Sequence, residues 1–348
     1  MRASDGMSPP VFVVSTGRCG STMISDMVRK HPAMLSVSEF LATMGATVLR
    51  GRKVGGEDLF RKLNTCRPAL QAVLRNRLQS NEFLYPIDSP DARYGPDDLP
   101  PILAVTLPHL TDDHDDLWDE LGRDLRKRGR AALEDHYRFA FEWLADRYDK
   151  TVWIERSGAS LLLTPLLARR FPDARFVHVF RDGRDTAMSM QKHRPFRSLA
   201  MLASQLRKRG LDPFSRFNWP GTSPWISFLM ERRAKRFSAE KFRAAQIDLP
   251  TFGWLWNGMI ERGVRHLEAL PRDRVLSIRF ESVLKSPEPE MSRFAEFVGP
   301  RYVDTDWLKR ICGVIRDKPP SWTRLSPAEL APLSEACEPG MRLLGYES

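Results

Sequence analysis

No stretch of this chain approaches 18 consecutive apolar residues, which argues against a membrane-spanning helix. Cysteine is scarce: Cys19, Cys66, Cys312 and Cys337 are scattered and form no CxxC pair. A disulfide framework and a paired-cysteine zinc site are thereby excluded, and reduced thiols in a cytoplasmic protein are the simplest account. The opening "MRASDGMSPP" has no apolar segment before the first strand-like run, so it does not read as a secretory signal. Negative charge is outweighed, with 54 Lys and Arg against 44 Asp and Glu, a formal balance of +10. That excess favours anionic ligands, acidic membranes or nucleic acid without distinguishing them. No zinc-finger spacing or RNP-like strand accompanies the basic runs, so nucleic acid is not an expected partner, whereas peripheral membrane contact stays open.

What is present suits a packed core: 348 residues, of which 42% are hydrophobic. "VFVVS" at 11 to 15 is a short apolar run of strand formers, as expected of a strand buried on both faces. A glycine turn follows at 17 to 20, a helix is predicted from Ser21 or Thr22 to about Lys30, and "MLSVSEF" predicts a second strand ending near Glu39. "AALEDHYRFAFEWLADRYD" has helical periodicity and "TVWIERS" is strand-like. "FVHVF" predicts a strand ending directly before Arg181. "RVLSIRFE" and "PEPEMSRFAEFVG" add a late strand and helix, and Ser326 is a plausible cap for the last one. The expectation is an α/β fold, P-loop-like and three-layered, with a mostly parallel central sheet and helices on both faces. One domain is expected over 1 to 348, with variable acceptor-side or lid regions at 45 to 130 and 192 to 250. Ligands of such sheets gather outside the carboxyl ends of the strands, where the turns at 16 to 21, 39 and 181 to 183 would meet if their strands are neighbours.

The turn "STGRCGST" is an anion site by composition. Gly17 and Gly20 permit a backbone that points N–H groups inward, and the following helix directs its positive end at the same space. Ser21 and Thr22 supply hydroxyls, and Arg18 a permanently charged fork. A Walker loop needs GxxxxGK before Ser or Thr; here two residues separate the glycines and no lysine precedes Ser21. The plainer alternative is a strand-to-helix turn with a capping serine. Further on, "FVHVFRDGRDTAMSM" sets Arg181 just beyond a strand, and a helix could return Ser189 toward an anion that Arg181 holds. A phosphate there and another in the first loop would fit a nucleotide phosphorylated at both ends of its ribose. Alternatively, Arg181, Asp182, Arg184 and Asp185 form helix-end ion pairs.

With both motifs in hand, the sequence resembles the superfamily of sulfotransferases that use 3'-phosphoadenosine-5'-phosphosulfate, in its bacterial form. "STGRCGSTM" is similar to the family's 5'-phosphosulfate loop and "FRDGRDTAMSM" to its 3'-phosphate motif. "TVWIERSGASLLLTPLLARRFPDARFVHVFR" and "VLSIRFESVLKSPEPEMSRFAEFVG" extend the likeness over roughly 11 to 325. The resemblance implies 3'-phosphoadenosine-5'-phosphosulfate as donor and adenosine 3',5'-bisphosphate as product. It makes Gly17, Arg18, Cys19, Gly20, Ser21 and Thr22 the donor-binding run and sets Arg181 and Ser189 on the ribose 3'-phosphate. Where the family's closing loop often carries Arg-Lys-Gly, this chain has "RDKPP", with Arg316 and Lys318 but no glycine.

Sulfuryl transfer needs an in-line geometry, a base for the acceptor proton and fixed positive charge on the departing phosphate. Arg18 is assigned the last task. Glu39, following the second strand opposite the loop, is the leading base, and the resemblance supports glutamate near this position. As a structural residue it would be a cap or an arginine's ion-pair partner. His109 and His193 are the rival bases; "TDDHDD" around His114 has no established metal-ligand spacing, and no metal is expected. Arg156 and Ser157 match the family strand end loosely, while Trp254 and Asn257 read as packing. Phe196, Phe214, Phe217, Trp219, Trp225 and Phe228 make the 192 to 250 region aromatic, as either an apolar or glycolipid acceptor pocket or a packed lid. The acceptor is expected to be a lipid, glycolipid or secondary metabolite hydroxyl. An atypical ATP-dependent kinase and a nonenzymatic bisphosphonucleotide-binding protein are the other classes the residues admit.

Overall fold

Val11–Val14 (β1) is buried at every position, and a strand with no polar face belongs inside a sheet covered on both sides. The protein's computed structural model describes residues 7–45, 48–49, 51–220, 222–313, 315 and 319–346. Met34–Ser38 (β2), Val152–Arg156 (β3) and Arg175–Phe180 (β4) are buried likewise, apart from the first residue of β4, and Val275–Arg279 (β5) is the more exposed edge. The five strands pair in parallel in the order β2-β3-β1-β4-β5. The expected first and second strands are therefore not neighbours, because β3 lies between them. All strands still end on the same side, so the expected turns converge there. A two-strand antiparallel pair, Lys53–Val54 with Ala131–Ala132, lies apart from the main sheet.

Alternation along the strands divides the core into two layers. Phe12, Val14, Leu35, Val37, Trp153 and Phe176 point to one layer, and Val11, Val13, Met34, Ile154, Val177 and Ile278 to the other. The second layer is closed by Ser21–Arg29 (α1), through Ile24 and Val28, and by a later helix over 287–298, through Met291 and Phe294. The first layer holds Leu133–Arg147 (α2), Gly183–Lys192 (α3), Arg194–Arg207 (α4), Leu249–Glu268 (α5) and Pro327–Leu343 (α6). Helix α6 starts at Ser326, whose capping box with Glu329 is complete. Among the described residues no helix is long and apolar enough to cross a membrane.

The segment 58 to 78 has helical spacing of its apolar residues but forms two helices, Gly56–Asn64 and Pro68–Arg75, because Pro68 holds Arg67 in extended backbone. At the start of the 192 to 250 region, α4 buries Phe196, Ala200 and Ala203 in the first layer. Helix α3 lies tightly on α5: a Cβ at Gly183 would stand 2.5 Å from the Trp256 ring. Gly183→Ala should lower stability by roughly 1–3 kcal/mol through this overpacking, read as a drop in the urea midpoint; an unchanged midpoint would show that α5 can retreat.

Candidate active site

The loop after β1 is held in a conformation few residues adopt. Gly17, Arg18 and Gly20 all have left-handed backbones, with φ of +79°, +59° and +85°. A Cβ at Gly17 would meet Phe196 at 2.5 Å, and one at Gly20 would meet Phe280 at 2.0 Å. The loop is thus pressed between two rings, with glycine where they touch it. Helix α1 begins after Gly20 without a side-chain cap, so its positive end points at the loop, although the Met23 N–H is already donated to the Gly20 carbonyl at 3.0 Å. Cys19 differs from its neighbours: its side chain is fully buried in the second layer, and burial pushes its thiol up despite the Ser15 hydroxyl. Only the Cys19 backbone is available to a ligand.

The two motifs meet directly. Arg18 Nε donates to Ser189 Oγ at 3.1 Å, so Ser189 turns toward the first loop, its recorded contact being with Arg18 rather than Arg181. Arg181 is nevertheless close, since its guanidinium lies 5.4 Å from the centroid of Phe280, the ring that touches Gly20. The helix-end ion pairs weighed from sequence also form: Arg181 with Asp185 at 2.9 Å and Arg184 with Asp182 at 2.7 Å. Asp185 accepts the Ser321 N–H at 2.7 Å, and Arg184 lies 3.8 Å from the Trp322 ring centroid, which brings the C-terminal segment beside Arg181. Arg316 and Lys318 lie outside the described residues.

Glu39 stands at the end of β2 with a left-handed backbone, φ +56°. Its Oε1 pairs with Arg156, whose side chain is also buried, and its Oε2 accepts the Gly158 N–H at 3.1 Å. The ion-pair role weighed from sequence is therefore present. It leaves the carboxylate beside the loop, because a Cβ at Gly158 would lie 3.7 Å from Glu39 Oε1 and 3.9 Å from Gly17 Cα. Burial pushes the Glu39 carboxyl above its usual range against the pull of Arg156, and the nearby Glu82 charge adds to the rise. A raised carboxyl is a stronger base once ionised.

The rival bases separate. His109 is buried beside Ser36 Oγ at 3.2 Å, in the middle of β2 rather than at its end, and burial with the Arg29 charge lowers it to about 4. His193 is at the site's rim, with Nε2 3.3 Å from Glu82 Oε2. His114 pairs with Asp115 and packs beside Tyr85. Ser157 receives the Ala42 N–H and donates to Glu155, a local network. Trp254 packs on Phe214, while Asn257 Oδ1 accepts the Gly340 N–H and joins α5 to α6. Of the aromatic residues singled out, Phe196, Phe214 and Trp219 are buried, whereas Phe217, Trp225 and Phe228 are exposed. A cleft of about 500 Å³ opens at the far end of α4, lined by Arg207, Phe214, Trp254 and Arg262. It stands roughly 16 Å along that helix from the Phe196–Gly17 contact, counting eleven residues at the helical rise.

Two residues, Glu82 and Glu155, gain importance that sequence reading did not assign, and Arg156, which it matched only loosely to the family strand end, gains more. Glu82 sits in the hard-to-read 45 to 130 region, yet its carboxylate meets Arg18 at 2.6 Å and Thr22 Oγ1 at 3.4 Å. Burial alone would raise Glu82; His193 and Arg18 outweigh it and bring the carboxyl down to about 2. No sequence spacing signals this long-range approach. Arg156 had a usable signal, a charged residue at the end of a buried strand, the same sign that picked out Arg181. Glu155, inside β3, is buried with Oε1 on the Leu41 N–H and the Ser157 hydroxyl; burial lifts it to about 8, and nearby Glu39 adds to the rise. Two buried donors, Arg156 Nε and Trp322 Nε1, have no acceptor among the described residues, an arrangement that fits an anionic ligand supplying acceptors at this end of the sheet.

A family model described as the sulfotransferase family matches residues 9–217. Among solved structures, the sulfotransferase domain from the curacin biosynthetic pathway is 12% identical with a TM-score of 0.48, covering 98% of this chain and 99% of that one. The sulfotransferase domain from the Synechococcus PCC 7002 olefin synthase is 13% identical with a TM-score of 0.46, covering 99% and 96%. Sulfotransferase STF9 from Mycobacterium avium is 16% identical with a TM-score of 0.42, covering 98% and 78%. These likenesses are too distant to carry a residue or a substrate across. None of the curated proteins matches the chain.

The Glu155 carboxyl makes stability depend on pH. Its folded value of about 8 lies above the ordinary 4.5, so the folded state favours the protonated form. Its contribution is present below the ordinary value and is lost as pH rises through about 8. Glu155→Gln removes that dependence, and the variant should gain on the native protein in urea-unfolding free energy between about pH 5 and pH 9. A difference that stays constant across this window would refute the assignment.

Proposed function

The chain belongs to the sulfotransferase family, and from that premise we propose that it transfers a sulfuryl group from 3'-phosphoadenosine-5'-phosphosulfate to an acceptor hydroxyl. The observation that carries the reading is the Arg18–Ser189 contact: it joins two anion motifs into one site of the kind a nucleotide with phosphate at both ends of its ribose requires. The positive end of α1 and the Gly20 N–H face the 5' side, where Arg18 offers a fixed cation, while the Gly17 N–H is held by the Ser15 hydroxyl at 3.1 Å. Arg181 and Ser189 serve the 3' side. The buried donors Arg156 Nε and Trp322 Nε1 add capacity for anion oxygens.

The donor supplies an activated sulfuryl group. As the acceptor oxygen bonds to sulfur and the bond from sulfur to the nucleotide phosphate breaks, the acceptor proton passes to Glu39. Arg156 and the Gly158 N–H hold that carboxylate in place, and Oε2 keeps a lone pair for the proton. Arg18 faces the charge that grows on the departing adenosine 3',5'-bisphosphate, electrostatic stabilisation by a group already in position. Four free cysteines suit a reducing cytoplasmic setting. The acceptor is a small molecule or lipid bearing the hydroxyl.

Calorimetry with adenosine 3',5'-bisphosphate, and with adenosine 5'-monophosphate for comparison, tests the donor site. Arg181→Ala should weaken the bisphosphate about tenfold or more while barely changing the monophosphate, as loss of a charge-assisted contact predicts; equal losses would remove Arg181 from the 3' side. Glu39→Gln should keep bisphosphate affinity and lower single-turnover transfer to a panel of phenols and alcohols by roughly 10²–10⁴-fold. Since Glu39 must be ionised, transfer by the native enzyme should fall as pH drops through its raised value. A native single-turnover rate in Glu39→Gln would exclude it as the base.

A further inference from the structure

The helix Pro224–Ala234 carries its apolar stripe on the wrong side for a core helix. Trp225, Phe228 and Leu229 stand at the i, i+3, i+4 spacing that places side chains on one helical face, and Arg232 continues it at i+7. Trp225 is 64% exposed and Phe228 60%. The inward side is set independently: Ile226 is fully buried, and Glu231 turns in to accept the Ala69 N–H at 3.0 Å. Phe217, just upstream, is 66% exposed, and Phe237, just downstream, is 36% exposed. Around these rings the exposed cations are Arg216, Arg232, Arg233, Lys235 and Arg236, while the segment's nearest acid, Glu231, is committed inward.

We propose that this face, Trp225–Phe228–Arg232 with Phe217 and the Arg233–Arg236 run, is a docking surface for an anionic lipid bilayer. Exposed large rings gain by leaving water, and tryptophan and phenylalanine beside arginine and lysine are the side chains that settle at the level of the headgroups. The basic run is complementary to a negatively charged leaflet and adds attraction that salt screens. Partner choice follows from the pairing of the two features: a soluble acidic ligand would use the cations and leave Trp225 and Phe228 in water. The helix would lie flat on the surface, and Arg233 Nη1 donates to Gln205 Oε1 at 2.9 Å, linking it to α4, whose Phe196 touches the loop. The inference stands without the sulfotransfer reading, because its test measures adhesion and not chemistry.

The full chain is sedimented with vesicles of phosphatidylcholine mixed with phosphatidylglycerol, and with phosphatidylcholine alone. Preferential binding to the mixed vesicles, weakening with added salt and falling about tenfold or more in Trp225→Ser/Phe228→Ser, is the expected result. Both positions are exposed; an unchanged urea midpoint and an unchanged circular-dichroism spectrum establish that the variant is folded. Absence of binding to mixed vesicles, or equal binding by native and variant chains, overturns the proposal. Self-association in light scattering that the double substitution abolishes, without vesicle binding, also overturns it and assigns the face to a second copy of the chain.

Discussion

The buried pair between Glu39 and Arg156 closes the carboxyl end of the sheet, and the rest of the site is built against it. It joins the end of β2 to the end of β3, two strands that are neighbours in space but far apart in the chain. Neither charge has water to solvate it. Removing one partner of such a pair commonly costs about 3–5 kcal/mol, because the survivor is left buried and alone. The pair therefore restricts where the Gly158 turn and the Gly17 loop can lie. It also keeps a carboxylate ionisable in a place where burial works against ionisation.

Around that pair the site holds more charge than its shape would suggest. Arg18 is shared between Ser189 and Glu82, so an anion that claims the guanidinium meets an existing carboxylate. A guanidinium has five donors in a planar fork and can serve several acceptors at once. Glu82 is ionised well into the acid range, which keeps Arg18 oriented across the loop while making its occupancy a competition. The Phe280 ring lies between Gly20 and Arg181 and so sets the separation of the two loops.

Much of this was legible along the chain. Buried strands announce themselves as apolar runs, and "VFVVS", "TVWIERS" and "FVHVF" became β1, β3 and β4 with small changes at their ends. Loop composition marked the turn after β1, since glycine at left-handed positions and a helix start without a side-chain cap are local properties. Strand order was not legible: local pattern gives no reason for β3 to pass between β1 and β2. Glu82 was invisible for the same reason, because its partners Arg18 and His193 are distant in sequence and no local period connects them.

Local physics, acting through side-chain period, glycine conformation and proline's missing donor, determined which segments became strands, turns and helices, and which loop is suited to an anion. Tertiary structure alone decided which charges lost their water, and so which carboxyls were raised or lowered. It also decided that Ser189 turns to Arg18 and that Trp225 and Phe228 face outward while Phe196 and Trp219 are covered. Those outcomes depend on what packs from elsewhere in the chain, and burial is a property of the whole packing that no single segment contains.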